Sequence, residues 1–209
     1  MLKSFFYMNF MYQFTRMNKL VFFIVSVILF SCSHPEYKYP HVIIDSQFGD
    51  IELELYPDKS PKTVAAFLSN VDAGIYKNTS FYRVVKAEQL PTDNNSGIIQ
   101  GGIFLSATKH AGISFIPHES TKQSGLSHTD GIISMARQDT GTASTEFFIC
   151  IGDQSTLDYG RRGSQDGQGY AAFGKVFNGM KVVREIQSQS SNGDRFDKEI
   201  KINNISRLK

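Results

Sequence analysis

The feature that most constrains this chain is the stretch from Gly131 to Gly152, GIISMARQDTGTASTEFFICIG. Two short apolar runs, at 132–136 and 147–151, flank a polar link from Arg137 to Glu146. Each run has strand length and β-branched or aromatic composition, and each is bounded by Gly, Asp, Ser or Thr. Both therefore belong in a sheet, with the link crossing the surface beside it. That link is rich in Thr, Ser and Gly and poor in large side chains, so its backbone is open to a ligand. The plainer alternative for this stretch is an ordinary β-hairpin core.

The flanking chain reads as more strands. Residues 41–45 and 50–56 form a hairpin around Gln47-Phe48-Gly49, and the second arm alternates Ile51, Leu53 and Leu55 with Glu52 and Glu54. Ser60-Pro61 opens a helix, with the Ser hydroxyl as N-cap and Pro at the first helical position. Val64, Phe67, Leu68 and Val71 then give it one apolar stripe, and Gly74 stops it. Strands are expected at 80–85, with Arg83 in the middle, and at 98–102, joined by a polar loop over 86–97. Residues 112–127 read as a surface-wrapping loop and 160–169 as a Gly- and Arg-bearing loop. A strand at 170–176, a helix over 179–188 with Met180, Val183 and Ile186 inward, and a closing strand at 198–205 complete the chain. About eight short strands with two helices favour a mainly β, closed antiparallel barrel over an α/β fold.

Composition narrows the chemistry. A net charge of +2 over 209 residues leaves no nucleic-acid footprint. Seventeen Phe and nine Tyr without any Trp supply an aromatic core. Two cysteines, Cys32 and Cys150, exclude a disulfide framework, although arithmetic permits a bridge between them. The His residues at 34, 41, 110, 118 and 128 lack the close pairing of a zinc site, and no Gly-rich phosphate loop joins a strand to a helix. No metal and no cofactor are expected. Ser, His and Asp occur, but at no spacing that signals a nucleophilic triad.

The N-terminus carries its own message. Lys3, Arg16 and Lys19 precede an apolar run at 20–30, too short for the roughly 20 residues of a membrane span. The run ends in Leu29-Phe30-Ser31-Cys32, which resembles the lipobox of bacterial lipoproteins. That resemblance implies cleavage before Cys32 and its acylation, and stable anchoring needs more than one acyl chain. The division expected is a signal peptide over 1–31 (Met17 being an alternative start), a lipidated Cys32 with a tether over 32–40, and a folded domain over 41–209. The alternative is an uncleaved amphipathic or signal-anchor helix. Anchoring in this form places the domain outside the cytoplasm, on a bacterial membrane.

The motif G-I-I-S-M-A-R…A-S-T-E-F-F-I, with P-K-T-V-A-A-F in the first helix, resembles the bacterial cyclophilin-type peptidyl-prolyl cis-trans isomerases over about residues 41–208. The resemblance implies an eight-stranded barrel capped by two helices, working on proline-containing polypeptides as a monomer and without a cofactor. It implies Arg83 as the catalytic guanidinium, which in an apolar strand would otherwise be read as a rim or salt-bridge residue. It implies Gln100 as a nearby amide, Phe148 as the floor of the proline pocket, Leu157 as its aliphatic wall and Ile98 as a further holder of the ring. Ala136 and Arg137 match the backbone edge along which substrate lies, and Tyr170 falls where many relatives carry His. Three positions depart from the pattern: Gly97 stands where an aromatic is usual, Glu146 where Gln is usual, and Thr156 where Trp or Phe is usual. The function implied is acceleration of X–Pro rotation in proteins folding outside the cytoplasm. The alternative is a chaperone or scaffold of the same fold that grips proline segments with little turnover.

Overall fold

The computed structural model describes residues 37–86, 96–104 and 112–208. The expected signal peptide, Cys32 and most of the 86–97 loop lie outside the described residues. The strands are β1 (His41–Ser46), β2 (Gly49–Leu55), β3 (Thr79–Lys86), β4 (Gly97–Gly102), β5 (Ile132–Met135), β6 (Phe147–Ile151), β7 (Ala171–Asn178), β8 (Ser191–Asn192) and β9 (Arg195–Arg207). They pair antiparallel in the order β1-β2-β7-β5-β6-β4-β3-β9, and β1 pairs with β9 to close the ring. Eight strands thus make a barrel without free edges. The two-residue β8 only extends a hairpin on β9.

Period-two patterning explains which faces turn in. Ile51, Leu53 and Leu55 of β2 are wholly buried, while Glu52 and Glu54 are half-buried. Strand β6 does not alternate because both of its faces are covered. Phe147, Ile149 and Ile151 enter the barrel core, whereas Phe148 and Cys150 join a separate apolar cluster with Ile98, Ile132 and Ala172. A strand buried on both faces reads as one continuous apolar run, and the second cluster is where the site is built.

The two expected helices are α1 (Pro61–Asp72) and α3 (Met180–Gln187). Val64, Phe67, Leu68 and Val71 of α1 and Val183 and Ile186 of α3 enter the same core, with Met180 packed at its margin. The ring of Phe67 lies 5.3 Å from that of Tyr76, just before β3. At the other end of β3, the Lys86 ammonium donates to the Gln189 carbonyl beyond α3. The helices therefore close opposite ends of that strand. A third helix, α2 (Thr121–Ser124), lies in the segment expected to be only a wrapping loop. A capping box nucleates it, since Ser120 and Gln123 bond reciprocally across its first turn.

The start of α1 differs from expectation. Ser60 is the N-cap residue, but its hydroxyl donates to the Ala172 carbonyl in β7 and makes no cap bond. The cap comes from Glu119, whose carboxylate accepts from the N–H of Lys62 (3.1 Å), the N–H of Thr63 (2.8 Å) and the Thr63 hydroxyl (2.7 Å). A carboxylate at a helix N-terminus satisfies orphan donors and meets the positive end of the dipole. Glu119→Ala should therefore lower unfolding stability by about 1–2 kcal/mol, read from urea melts. No change in the midpoint would mean that another group takes over the cap.

Candidate active site

Arg83 reaches the surface through an irregularity in β3. Phe81 pairs with Gly101 and Arg83 with Gln100, so Tyr82 is an extra residue opposite a single step of β4. Simple alternation from the buried Phe81 would return Arg83 to the core. The bulge instead keeps Arg83 and the buried Tyr82 out of the barrel core, and Val84 returns into it.

Arg83 lies at the mouth of a cavity of about 290 Å³ on the outer face of β4 and β6. Phe148 and Ile98 line it from those strands, with Gln100 beside them. Ala136 and Arg137 enter from the segment after β5, Leu157 from a single 3-10 turn (Ser155–Leu157), and Tyr170 from the residue before β7. All eight residues singled out around the proline pocket are thus brought to one recess. Val85 also lines it, and Gly97 does not. Gly97 has φ of +142°, and a Cβ there would run into the Val85 carbonyl, so an aromatic cannot stand at that position in this backbone. A second recess of about 470 Å³ continues past Arg83, Gln100, Ala136 and Arg137 toward the exposed rings of Phe104 and Phe115. The two form a groove with Arg83 at the junction.

Two partners orient the guanidinium. Its Nε donates to Asp194 Oδ2 at 2.7 Å and its Nη1 to Gln100 Oε1 at 3.0 Å. Asp194 sits in the turn between β8 and β9, far along the chain, and the guanidinium holds its carboxyl below the usual carboxylate range. Gln100 Nε2 donates to the Tyr82 hydroxyl at 2.7 Å, and that hydroxyl donates to Glu146 Oε2 at 2.7 Å. Nothing in the sequence spacing announced Asp194 or Tyr82. Glu146 had drawn notice only as a departure from the family pattern.

Arg137 is engaged with its own protein. Its guanidinium makes paired bonds of 2.8 Å to Asp166, donates to the Gly169 carbonyl at 2.6 Å and lies 5.3 Å from the Tyr170 ring centre. The pairing with Arg137 holds the Asp166 carboxyl well below its ordinary range. The side chain thus ties the 160–169 loop to the groove, leaving the backbone of 136–137 as the part that can face a substrate.

A buried polar string underlies the floor. His128, wholly buried, meets Asp158 Oδ1 through Nδ1 at 2.6 Å and Ser134 Oγ through Nε2 at 3.0 Å. Its ring stacks on Phe148 with centroids 5.9 Å apart and planes 16° apart. The connectivity is that of a nucleophilic triad, but Ser134 is 0 % exposed and no substrate carbonyl can reach it. The string is a brace under Phe148 and beside Leu157.

Burial lowers the pKa of His128 while Asp158 opposes the shift. The unfolded chain therefore takes up this proton first, and stability falls as pH drops below about 6.5, the unfolded value. Urea midpoints should be lower at about pH 5.5 than at about pH 7.5, and His128→Gln should narrow that difference. An equal difference in the variant would assign the proton uptake to another group.

Residues 41–207 match the family model described as cyclophilin type peptidyl-prolyl cis-trans isomerase/CLD. The chain is 34 % identical over 171 residues to peptidyl-prolyl cis-trans isomerase A of Dickeya dadantii, covering 81 % of this chain and 83 % of that one. It is 35 % identical over 147 residues to peptidyl-prolyl cis-trans isomerase B of Escherichia coli, covering 70 % and 83 %. A crystal structure of a cyclophilin type isomerase of Cryptosporidium parvum matches with a TM-score of 0.64 at 25 % identity, over 82 % of this chain and 98 % of that one. The same protein in the presence of the dipeptide Ala-Pro matches with a TM-score of 0.63.

Proposed function

Since this chain belongs to the cyclophilin-type peptidyl-prolyl cis-trans isomerase family, we propose that it accelerates X–Pro rotation in polypeptides folding outside the cytoplasm, from a lipid anchor on Cys32. The observation that carries the catalytic part is Arg83, held by Asp194 and Gln100 at the edge of a cavity that Phe148, Ile98 and Leu157 also line. Rotation about a peptide bond faces a barrier of about 18–20 kcal/mol because the nitrogen lone pair is delocalised into the carbonyl. In the twisted transition state that lone pair localises on the prolyl nitrogen and becomes an acceptor. With Nε and Nη1 engaged, Nη2 is the donor of Arg83 without a partner among the described residues. A permanently charged N–H aimed at the nitrogen binds the twisted amide more strongly than the planar one, and this differential binding is catalysis. Phe148, Ile98 and Leu157 hold the ring, Ala136 and Arg137 align the chain, and the preceding carbonyl turns. The step transfers no proton.

The test is the rate of a refolding reaction limited by a cis proline, which the chain should accelerate at catalytic concentration. Binding of proline peptides without acceleration would favour the scaffold reading, which the longer 86–97 segment and Thr156 support. The anchor has its own test. Cys32→Ala should abolish acylation and leave the protein either unprocessed or without its mature lipid anchor. An unmodified Cys32 in the native protein, read by mass spectrometry, would remove the anchor from the proposal.

A further inference from the structure

Glu146 precedes β6 and closes a directional chain of hydrogen bonds. Its carboxylate accepts from the Tyr82 hydroxyl at 2.7 Å, the Ile103 N–H at 2.8 Å and the Thr145 hydroxyl at 3.2 Å. It also packs so closely on Gly102 that a Cβ there would overlap it. Tyr82 has one hydroxyl hydrogen, which goes to Glu146, so toward Gln100 it can only accept. Gln100 must then turn its NH₂ to Tyr82, and does so at 2.7 Å. That leaves the amide oxygen facing Arg83, whose Nη1 donates to it at 3.0 Å. Each bond in this series fixes the polarity of the next.

We propose that Glu146 and Tyr82 are positioning residues for Arg83, a one-way relay that decides which end of the Gln100 amide faces the guanidinium. The proposal rests on the isomerase reading above. Its physical content lies in the reversed state. A proton on Glu146 makes it a donor to Tyr82, whose own hydrogen then turns to the Gln100 oxygen. The amide rotates and sets its NH₂ against Arg83, donor against donor. The guanidinium keeps Asp194 but loses its second anchor, and its aim loosens.

The ionisable groups around Glu146 are Tyr82 and Arg83 on β3, Tyr76 before it, Arg137 after β5, and Arg195 at the start of β9, 5.9 Å from the Tyr82 ring, with Asp194 of the β8–β9 turn bound to Arg83. Burial raises the Glu146 carboxyl above its ordinary range, its hydrogen-bond donors opposing only in part. Its proton is thereby taken up at a higher pH than by a free carboxylate.

The experiment measures kcat and KM on an X–Pro peptide between about pH 5 and about pH 8, using the full chain, Glu146→Gln and Tyr82→Phe. The wild-type kcat should fall on the acid side by roughly three- to tenfold, the scale of one hydrogen bond, with KM steady. Glu146→Gln should show no acid limb. Tyr82→Phe should be uniformly slower and equally flat. A flat wild-type profile, or an acid limb that survives in Glu146→Gln, overturns the relay. A second readout needs no turnover: the Gln100 side-chain amide resonances should shift with pH in the wild type and stay fixed in Glu146→Gln. An amide that titrates in a chain without isomerase activity would uphold the relay and sink the isomerase reading. Activity with a silent amide would do the reverse.

Discussion

Arg83→Lys should lower kcat by roughly 10²-fold or more, by analogy with removal of one preorganised donor from a transition-state site, and should change KM only slightly. The guanidinium is a planar fork that gives Nε to Asp194 and Nη1 to Gln100 and keeps a third nitrogen that the proposed mechanism aims at the prolyl nitrogen. An ammonium carries the same charge on one atom at the end of a flexible stem. It cannot hold two anchors and aim a third bond at the prolyl nitrogen. The cavity wall is otherwise unchanged, so binding of the proline ring should persist. Stability should be nearly untouched, because Arg83 and Asp194 have side chains 37 % and 56 % exposed and such ion pairs contribute little. Turnover close to that of the wild type would remove Arg83 from the catalytic role.

The second large effect falls on the neighbouring phenylalanines of β6, and it should separate by face. Phe147 is 0 % exposed and its ring lies within 6 Å of three others, at 5.9 Å from Phe67, 5.7 Å from Tyr76 and 5.9 Å from Phe81. Truncating it opens a void that α1, β3 and β6 line together and cannot all collapse upon. Phe147→Ala should destabilise the fold by about 3–5 kcal/mol, a large part of the roughly 5–15 kcal/mol of a typical domain. Phe148→Ala removes the floor of the outer cavity and the ring that stacks on His128. Its signature should be functional, with KM rising about tenfold, equal to 1.4 kcal/mol of lost contact with the proline ring. Urea melts and peptide kinetics on both variants check the division. A KM unchanged in Phe148→Ala would mean that the proline does not lie on this ring.

Much of this was legible because it is local. The 2.0 period of Ile51, Leu53 and Leu55 states which face of β2 is buried. The 3.6 period of Val64, Phe67, Leu68 and Val71 does the same for α1. The unbroken apolar run of 147–151 announces a strand covered on both sides, and family resemblance attached expected roles to residues that the fold then gathers at one cavity. The short helix α2 was within reach as well, since Ser120 and Gln123 stand at capping-box spacing in the sequence.

The tertiary structure decided what depends on partners distant in the chain. Ser60 has the right chemistry for a cap, yet Glu119, 56 positions from Thr63, takes that place because the carboxylate reaches three donors at once. No periodicity could show that β3 bulges at Tyr82, and without the bulge Arg83 would point into the core. The partners of Arg83 lie 17 and 111 positions away, and those of His128 lie 6 and 30 away. Side-chain period and capping spacing follow from backbone geometry over a few residues, so the sequence alone carries them. The direction of a guanidinium or an amide is set where strands from separate parts of the chain meet, and only the closed barrel brings those strands together.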